Sequence, residues 1–274
     1  MSGTCATLGQ WLTENGDLDR LDRELVASRA LKLTRAQVIA RPESPLSPGQ
    51  RQSLDQLAAR RRREPWAYIT GEKEFFGLRL AVGPEVLVPR PETERLVELV
   101  VERAPQGGQV LDLGTGSGCI AVAVKTHRPD LRVTATDVCA AALETAKSNV
   151  RNYRTDIEFQ QSDWFSALAG RFDWIVCNPP YVADTDPALD DLRAEPSIAL
   201  AGGPQGLTAI NAVIKGSGAH LVGGGTLALE HGHEQGKAVC RQFTNCGFAA
   251  IETHEDLAGH ARVSLGRVLA RGQG

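Results

Sequence analysis

Three glycines at alternate positions separate an apolar strand pattern from an apolar helix pattern, and few architectures accept that order. Gln109-Val110-Leu111-Asp112-Leu113 reads as a buried strand and Gly114-Thr115-Gly116-Ser117-Gly118 as a tight turn. Cys119-Ile120-Ala121-Val122-Ala123-Val124 then opens a helix. A strand, a glycine turn and a helix N-terminus in that order make a ligand cradle. Glycine lets the backbone approach closely, and the unpaired N–H groups of the helix start face the ligand. The spacing is G-x-G-x-G, not the G-x-G-x-x-G of dinucleotide sites, and a glycine pattern alone carries little weight.

The following segments supply the context. Residues 131–137 form a second strand pattern that ends on Asp137, about twenty residues beyond the turn. That separation suits an acid that grips ribose hydroxyls. Asp137 could instead cap a helix over residues 140–150, and ribose is the stronger reading. A third strand, residues 157–160, leads into Ser162-Asp163-Trp164-Phe165. An acid beside an aromatic ring can hold an adenine by hydrogen bond and stacking; the alternative is a core tryptophan with a turn aspartate. The cradle nearby favours adenine.

Phe172-Asp173-Trp174-Ile175-Val176-Cys177 is apolar and β-prone with one acid, the pattern of a central strand in a parallel sheet. It must stop at Asn178-Pro179-Pro180-Tyr181, because consecutive prolines cannot donate to a ladder. These four residues therefore sit at the carboxyl end of a buried strand, where open α/β sheets place ligand chemistry. The Asn178 side-chain oxygen and the Pro179 carbonyl can face one point. Two converging acceptors suit an NH2 group, which has two hydrogens to give. Tyr181 offers a flat face for a planar group. Standing alone, Asn-Pro is equally a turn starter.

Upstream, apolar residues recur at helical spacing: Leu8, Trp11 and Leu12, then Leu18, Leu21, Leu25, Val26, Ala30 and Leu31. Thr34 can cap a short helix through Val38 and Ile39. Ser47-Pro48 followed by Gln50 starts another, which ends near Arg63. This makes a small helical unit. Arg60-Arg61-Arg62-Arg63 fits the solvated end of that helix better than a docking patch. The stretch 74–90 reads as a β-hairpin with Val82-Gly83-Pro84-Glu85 as a turn before Val86-Leu87-Val88. Leu96, Val97, Leu99, Val100 and Val101 mark the core face of a helix. Residues 184–206, rich in acids, Pro and Gly, read as an ordered loop over the site that can serve as a lid. The C-terminal part reads as helix 207–221, strand 225–230, helix 234–246 and two strands, 248–253 and 261–270, paired antiparallel. His231-Gly232-His233 matches no metal spacing, so no metal is expected.

Charge and composition narrow the class. A net charge of -3 and a pI near 6.1 give no global field for nucleic acid. The six cysteines are scattered and read as reduced thiols, and no apolar run is long enough to span a bilayer. Acids come early and no signal-peptide core is visible, so a cytoplasmic setting is expected.

The glycine cradle, the acid after the second strand and Asn178-Pro179-Pro180-Tyr181 together resemble the class I S-adenosylmethionine-dependent methyltransferases that act on planar nitrogens. The flanks narrow this. Gly71-Glu72-Lys73-Glu74-Phe75-Phe76-Gly77, Val88-Pro89-Arg90-Pro91-Glu92-Thr93-Glu94, and Glu195-Pro196 with Ala199-Leu200-Ala201-Gly202-Gly203 resemble the bacterial release factor glutamine methyltransferases. The likeness runs from the hairpin to the C-terminus and is looser in the helical unit. It implies a Rossmann-like, mostly parallel α/β sheet with an antiparallel last strand, a small N-terminal helical domain and a linking β-hairpin. The expected boundaries are 1–72 for substrate recognition, 73–90 for the linker and 91–274 for the methyltransferase domain. By motif position, Gly114, Thr115, Gly116, Ser117, Gly118 and Asp137 would bind S-adenosyl-L-methionine, with Trp164 beside its adenine and Asn178 touching both ligands. Asn178, Pro179, Pro180 and Tyr181 would bind the glutamine of a Gly-Gly-Gln loop in a class 1 release factor, with Asn178 and Pro179 catalytic. S-adenosyl-L-homocysteine would leave as product. The resemblance implies no membrane or direct nucleic-acid partner, and the chain is expected to be a monomer. Two other readings compete: a methyltransferase for base amines in DNA or RNA, which would call for a basic groove, and a non-catalytic binder with a vestigial pocket.

Overall fold

The computed structural model describes residues 7–270. They divide between Thr70 and Gly71 into two compact units.

The first unit is all helical: α1 (Leu8–Glu14), α2 (Arg20–Leu31), α3 (Arg35–Ala40), α4 (Pro48–Arg61) and α5 (Trp66–Thr70). Three of these start on reciprocal capping boxes, Thr7 with Gln10, Thr34 with Gln37 and Ser47 with Gln50. Leu8, Trp11, Val26, Val38, Leu54 and Ala58 form the core. The α2 face differs from the apolar periodicity. Leu21 is 48% exposed, while Asp22 and Glu24 point inward. Buried acids need cationic partners, and they have them: Arg20 and Arg35 both reach Glu24, and Arg61 reaches Asp22 at 2.7 Å. Hydrogen bonds from Arg20 and Arg35 hold the Glu24 carboxyl below the usual range. Arg60 and Arg62 pair with Glu64 and Asp17, so most of the basic run has acidic partners within this unit, while Arg60, Arg62 and Arg63 stay exposed at the helix end.

The second unit opens on a hairpin, β1 (Glu72–Phe75) and β2 (Leu78–Ala81). It is shorter than the sequence pattern implied. The turn is Phe76-Gly77, with φ of 50° and 71°, the two positive values of a type I′ turn. Phe76 is held in that conformation by its N–H to Glu94 Oε1 at 2.8 Å and by an edge contact with His127. Val86-Leu87-Val88, expected as a strand, belongs to no strand here.

After α6 (Glu94–Arg103) come β3 (Gln109–Leu113), α7 (Cys119–His127), β4 (Arg132–Asp137), α8 (Ala140–Tyr153), β5 (Ile157–Gln161) and β6 (Phe172–Cys177). A single-turn helix, α9 (Ala188–Asp191), interrupts the long loop. The chain ends with α10 (Thr208–His220), β7 (Leu221–Glu230), α11 (Gly236–Asn245), β8 (Phe248–Glu255) and β9 (Ala261–Val268). The sheet order is β5-β4-β3-β6-β7-β9-β8, all parallel except β9, which runs antiparallel to both neighbours. This is the expected mostly parallel sheet.

Strand side chains alternate between two cores. Val110, Trp174, Val176 and Ala228 face the layer that holds α6 and α7. Leu111, Leu113, Ile175, Cys177, Leu227 and Leu229 face the layer of α10 and α11. Asp173, the one acid in β6, accepts from the Gln109 N–H at the strand entrance, outside the apolar span. The chain runs outward from β3 to β5, then returns to β6 on the other side of β3. That reversal opens a crevice at the carboxyl ends of β3 and β6. No helix among the described residues is long and apolar enough to cross a membrane.

Candidate active site

The crevice is a cavity of about 550 Å3, within the usual range for a small-molecule site. One wall is the glycine turn. The Gly114 and Thr115 N–H groups donate to the Thr136 carbonyl, which ties the turn to the end of β4. Gly116 has φ +55° and donates its N–H to Asp137 Oδ2 at 2.9 Å. Asp137 Oδ1 accepts from the Cys139 N–H at 2.8 Å. Asp137 therefore braces the turn and the entry to α8 together, while lining the cavity. Trp164 and Asp163 form the next part of the wall. A hydrogen bond from Ser162 Oγ to the Trp164 carbonyl fixes the local loop, in which Trp164 has φ +45°.

Of the residues singled out from sequence, Gly114, Thr115, Gly116, Ser117, Asp137, Trp164, Asn178 and Pro180 line the cavity. Gly118, Pro179 and Tyr181 are not among the lining residues. Gly118 has φ +79°, and a Cβ there would sit 3.0 Å from Ala146 Cβ, so this glycine lets α7 pack on α8. Pro179 is buried, and no hydrogen bond among the described residues reaches its carbonyl. Tyr181 packs on the sheet core and donates its hydroxyl to Glu230 Oε1 at 2.8 Å.

Asn178 is held by one end only. Its Nδ2 donates to Thr93 Oγ1 at 3.0 Å, and Thr93 Oγ1 donates to Glu230 Oε2 at 2.6 Å. No hydrogen bond among the described residues reaches Asn178 Oδ1. The amide thus presents a free acceptor at the cavity. Burial pushes the Glu230 carboxyl above the usual range, and burial raises the Tyr181 phenol as well.

Thr93, Glu230, Glu195 and Asp112 were not read from the sequence as site residues. Glu230 ends an apolar strand, a signal that could have found it. Thr93 and Glu195 lie in stretches that carry the family resemblance, which gave neither a role. Glu195 is buried and accepts from the Val88 N–H at 2.9 Å and from Arg90. This joins the loop after Tyr181 to the segment before α6, and Pro196, Ile198, Ala199 and Ala201 of that loop line the cavity. The loop also folds on itself, with the Val182 N–H donating to Leu200 and the Gly202 N–H to Val182. Glu195→Ala would strand a buried N–H and a half-buried guanidinium. It is expected to cost about 2–3 kcal/mol, discounted for the exposure of Arg90, as read by urea unfolding.

Asp112 lies beneath the turn, nearly inaccessible. Its Oδ2 accepts from Thr115 Oγ1 at 2.6 Å and from the Ala121 N–H at 3.1 Å, while Oδ1 has no partner. Burial pushes its carboxyl up to about 7. Such a group binds its proton more tightly in the folded chain than in the unfolded one. Its contribution to stability is present below the usual carboxylate range and is lost as pH rises through about 7. Asp112→Asn imitates the protonated acid. The thermal midpoint of that variant relative to the unsubstituted chain is expected to rise between about pH 4 and about pH 8. An offset that stays constant across that range contradicts the assignment.

His231 spends both ring nitrogens internally, on the Gly232 carbonyl and on Ser264 Oγ. Among the described cysteines all are free; Cys5 lies outside the described residues. Burial raises the Cys119 thiol, beside the turn, to about 12.

A family model described as methyltransferase small domain matches residues 91–194, and one described as PrmC N-terminal domain matches residues 9–71. The chain is 42% identical to the release factor glutamine methyltransferase of Neisseria gonorrhoeae, over 96% of this chain and 98% of that protein. It is 43% identical to the protein of the same name from Escherichia coli, over 90% and 92%. A methyltransferase structure from Pyrococcus furiosus shares the fold, with a TM-score of 0.58 at 21% identity, covering 78% of this chain and all of that one. With 42% identity sustained over nearly its whole length, the chain is an enzyme of the release factor glutamine methyltransferase family.

Proposed function

We propose that this enzyme moves a methyl group from S-adenosyl-L-methionine to the side-chain amide nitrogen of the glutamine in the Gly-Gly-Gln loop of a class 1 release factor, in the cytoplasm. The observation that carries the reading is the free Asn178 Oδ1 at the cavity wall, with Nδ2 tied back to Thr93.

The residues present fit the cofactor. Gly116 lines the cavity at φ +55° with open space where a Cβ would stand, so backbone can approach a ligand there. The glycine turn and the start of α7 would take the amino-acid portion, Asp137 the ribose hydroxyls and Trp164 the adenine face. Asp137 already accepts two N–H groups, and its carboxylate keeps lone pairs for further donors. When bound, the cofactor supplies a strongly electrophilic sulfonium methyl and leaves as S-adenosyl-L-homocysteine.

An amide nitrogen is a weak nucleophile, since its lone pair is delocalised into the carbonyl. The protein's part is therefore alignment in a site with little water. Asn178 Oδ1 and the Pro179 carbonyl would each accept one N–H of the glutamine, fixing the nitrogen with its lone pair directed away from them. The same two oxygens stabilise the positive charge that grows on nitrogen during attack. No base is needed beforehand, because the proton becomes acidic only after methylation. Pro180 closes the wall beside them, and Tyr181 backs the segment from the core side. We assign substrate recognition to the N-terminal helical unit, about residues 1–72, with 73–90 as linker and 91–274 as the methyltransferase domain.

The test is transfer of labelled methyl to a purified class 1 release factor, beside the same factor with the glutamine of its Gly-Gly-Gln replaced by alanine. Label is expected on the first and not on the second. Equal labelling of both, or preferential labelling of DNA or RNA, contradicts the reading.

A further inference from the structure

Glu230 is a buried carboxylate without a cation. It is 0% exposed, and among the described residues no ion pair reaches it. Arg262, a cation that acts on it through space, places its Nε on Asp256. Isolating a carboxylate in this way costs folding energy that an apolar side chain would not. Its two hydrogen-bond donors are both hydroxyls, and each leads to the segment after β6: Thr93 to Asn178, and Tyr181 directly. The register that aligns Cys177 with Leu229 sets Glu230 beside Asn178 across adjacent strand ends.

We propose that Glu230 is a positioning residue for methyl transfer, acting through the Thr93 hydroxyl to decide which end of the Asn178 carboxamide faces the cavity. The inference rests on the reading above, that Asn178 serves as acceptor.

A carboxamide is nearly symmetric in shape, so packing alone cannot orient it; only hydrogen bonds distinguish its oxygen from its NH2. The Thr93 hydroxyl has one hydrogen. While Glu230 Oε2 accepts that hydrogen, Thr93 Oγ1 has only lone pairs to offer, and only the Asn178 NH2 can bond to it. Asn178 Oδ1 then faces the cavity. If the Thr93 hydroxyl were free to turn, it could donate to Asn178 Oδ1 instead. The amide would rotate, and an NH2 would meet the NH2 of the incoming glutamine. Two donors facing each other repel where two acceptors are needed. Tyr181, the second donor to Glu230, seats the other end of the same four-residue segment, so one carboxylate fixes both ends of the clamp.

Thr93→Val keeps the shape of Thr93 and removes its hydroxyl; Thr93→Ser keeps the hydroxyl; Glu230→Gln keeps the size of Glu230 and adds a donor. Single-turnover methylation of release factor is the first readout, beside calorimetric affinity for S-adenosyl-L-homocysteine. Thr93→Val and Glu230→Gln are expected to slow transfer by about tenfold or more, on the scale of one misdirected hydrogen bond, with cofactor affinity within about twofold. Thr93→Ser is expected to restore most of the rate. Thr93→Val at full speed overturns the proposal, and so does Thr93→Ser as slow as Thr93→Val, because packing would then be the cause.

The second readout needs no substrate. The Asn178 side-chain NH2 signal in 15N spectra, assigned by its loss in Asn178→Asp, is expected to move in Thr93→Val and Glu230→Gln and to stay near its place in Thr93→Ser. An unmoved signal in both of the first two variants overturns the relay even if the release factor proves not to be the substrate. Failure of the unsubstituted enzyme to label release factor, with the signal moving as expected, counts against the substrate reading and leaves the relay standing.

Discussion

Asn178→Ala is expected to lower methyl transfer by about 10²–10³-fold while the affinity for S-adenosyl-L-homocysteine changes little, on the scale of removing one preorganised partner of developing charge. The substitution deletes the acceptor that faces the cavity and the donor that reaches Thr93. The first loss removes alignment and charge stabilisation in the transition state. The second leaves Thr93 still donating to Glu230, so the fold keeps its buried carboxylate paired. Asn178→Asp is the sharper control. It keeps an oxygen at the cavity but places a second one against the Thr93 lone pairs, two acceptors facing each other. It is expected to be slow as well. Either variant with near-normal turnover, measured at saturating cofactor and release factor, would remove the clamp.

The second large effect lies on the cofactor side. Asp137→Ala is expected to weaken S-adenosyl-L-homocysteine binding by about a hundredfold, taking two charge-assisted hydrogen bonds to ribose at about 1.5 kcal/mol each. Part of the loss comes through the protein itself, because Asp137 also holds the Gly116 and Cys139 N–H groups. Asp137→Asn separates the two contributions. One amide oxygen can still accept, so its affinity is expected to fall between those of the alanine variant and the unsubstituted chain. Calorimetry reads both constants, and an unchanged value for Asp137→Ala excludes this carboxylate from the ribose site.

Much of the fold was legible because central parallel strands bury both faces and leave apolar runs. Gln109–Leu113 and Phe172–Cys177 coincide with the runs that announced them. Helix starts were legible where capping is local, as at Thr34 and Ser47. The hairpin turn was misplaced because Phe76 at positive φ is held by Glu94, 18 residues away, and not by any turn-favouring chemistry of its own. Leu21 fits the apolar periodicity yet faces solvent for a related reason. The inward face of α2 is carried by acids whose arginine partners lie on other turns and other helices.

The site divides along the same line. The cradle, Asp137, Trp164 and Asn178 lie at strand ends and are read from local pattern. The hydroxyl and carboxylate behind Asn178 are not. Thr93 stands 85 residues from Asn178 and 137 from Glu230, and only the closing of the sheet brings the three together. Gly118 likewise serves helix packing, a role decided by Ala146 in the next helix and invisible in the glycine pattern itself.

The most direct test is a crystal structure of the enzyme with S-adenosyl-L-homocysteine and a Gly-Gly-Gln peptide. The glutamine side-chain nitrogen is expected within about 3 Å of both Asn178 Oδ1 and the Pro179 carbonyl, with Asn178 Nδ2 still on Thr93. A glutamine amide seated elsewhere, or an Asn178 turned so that its NH2 faces the substrate, would contradict the account.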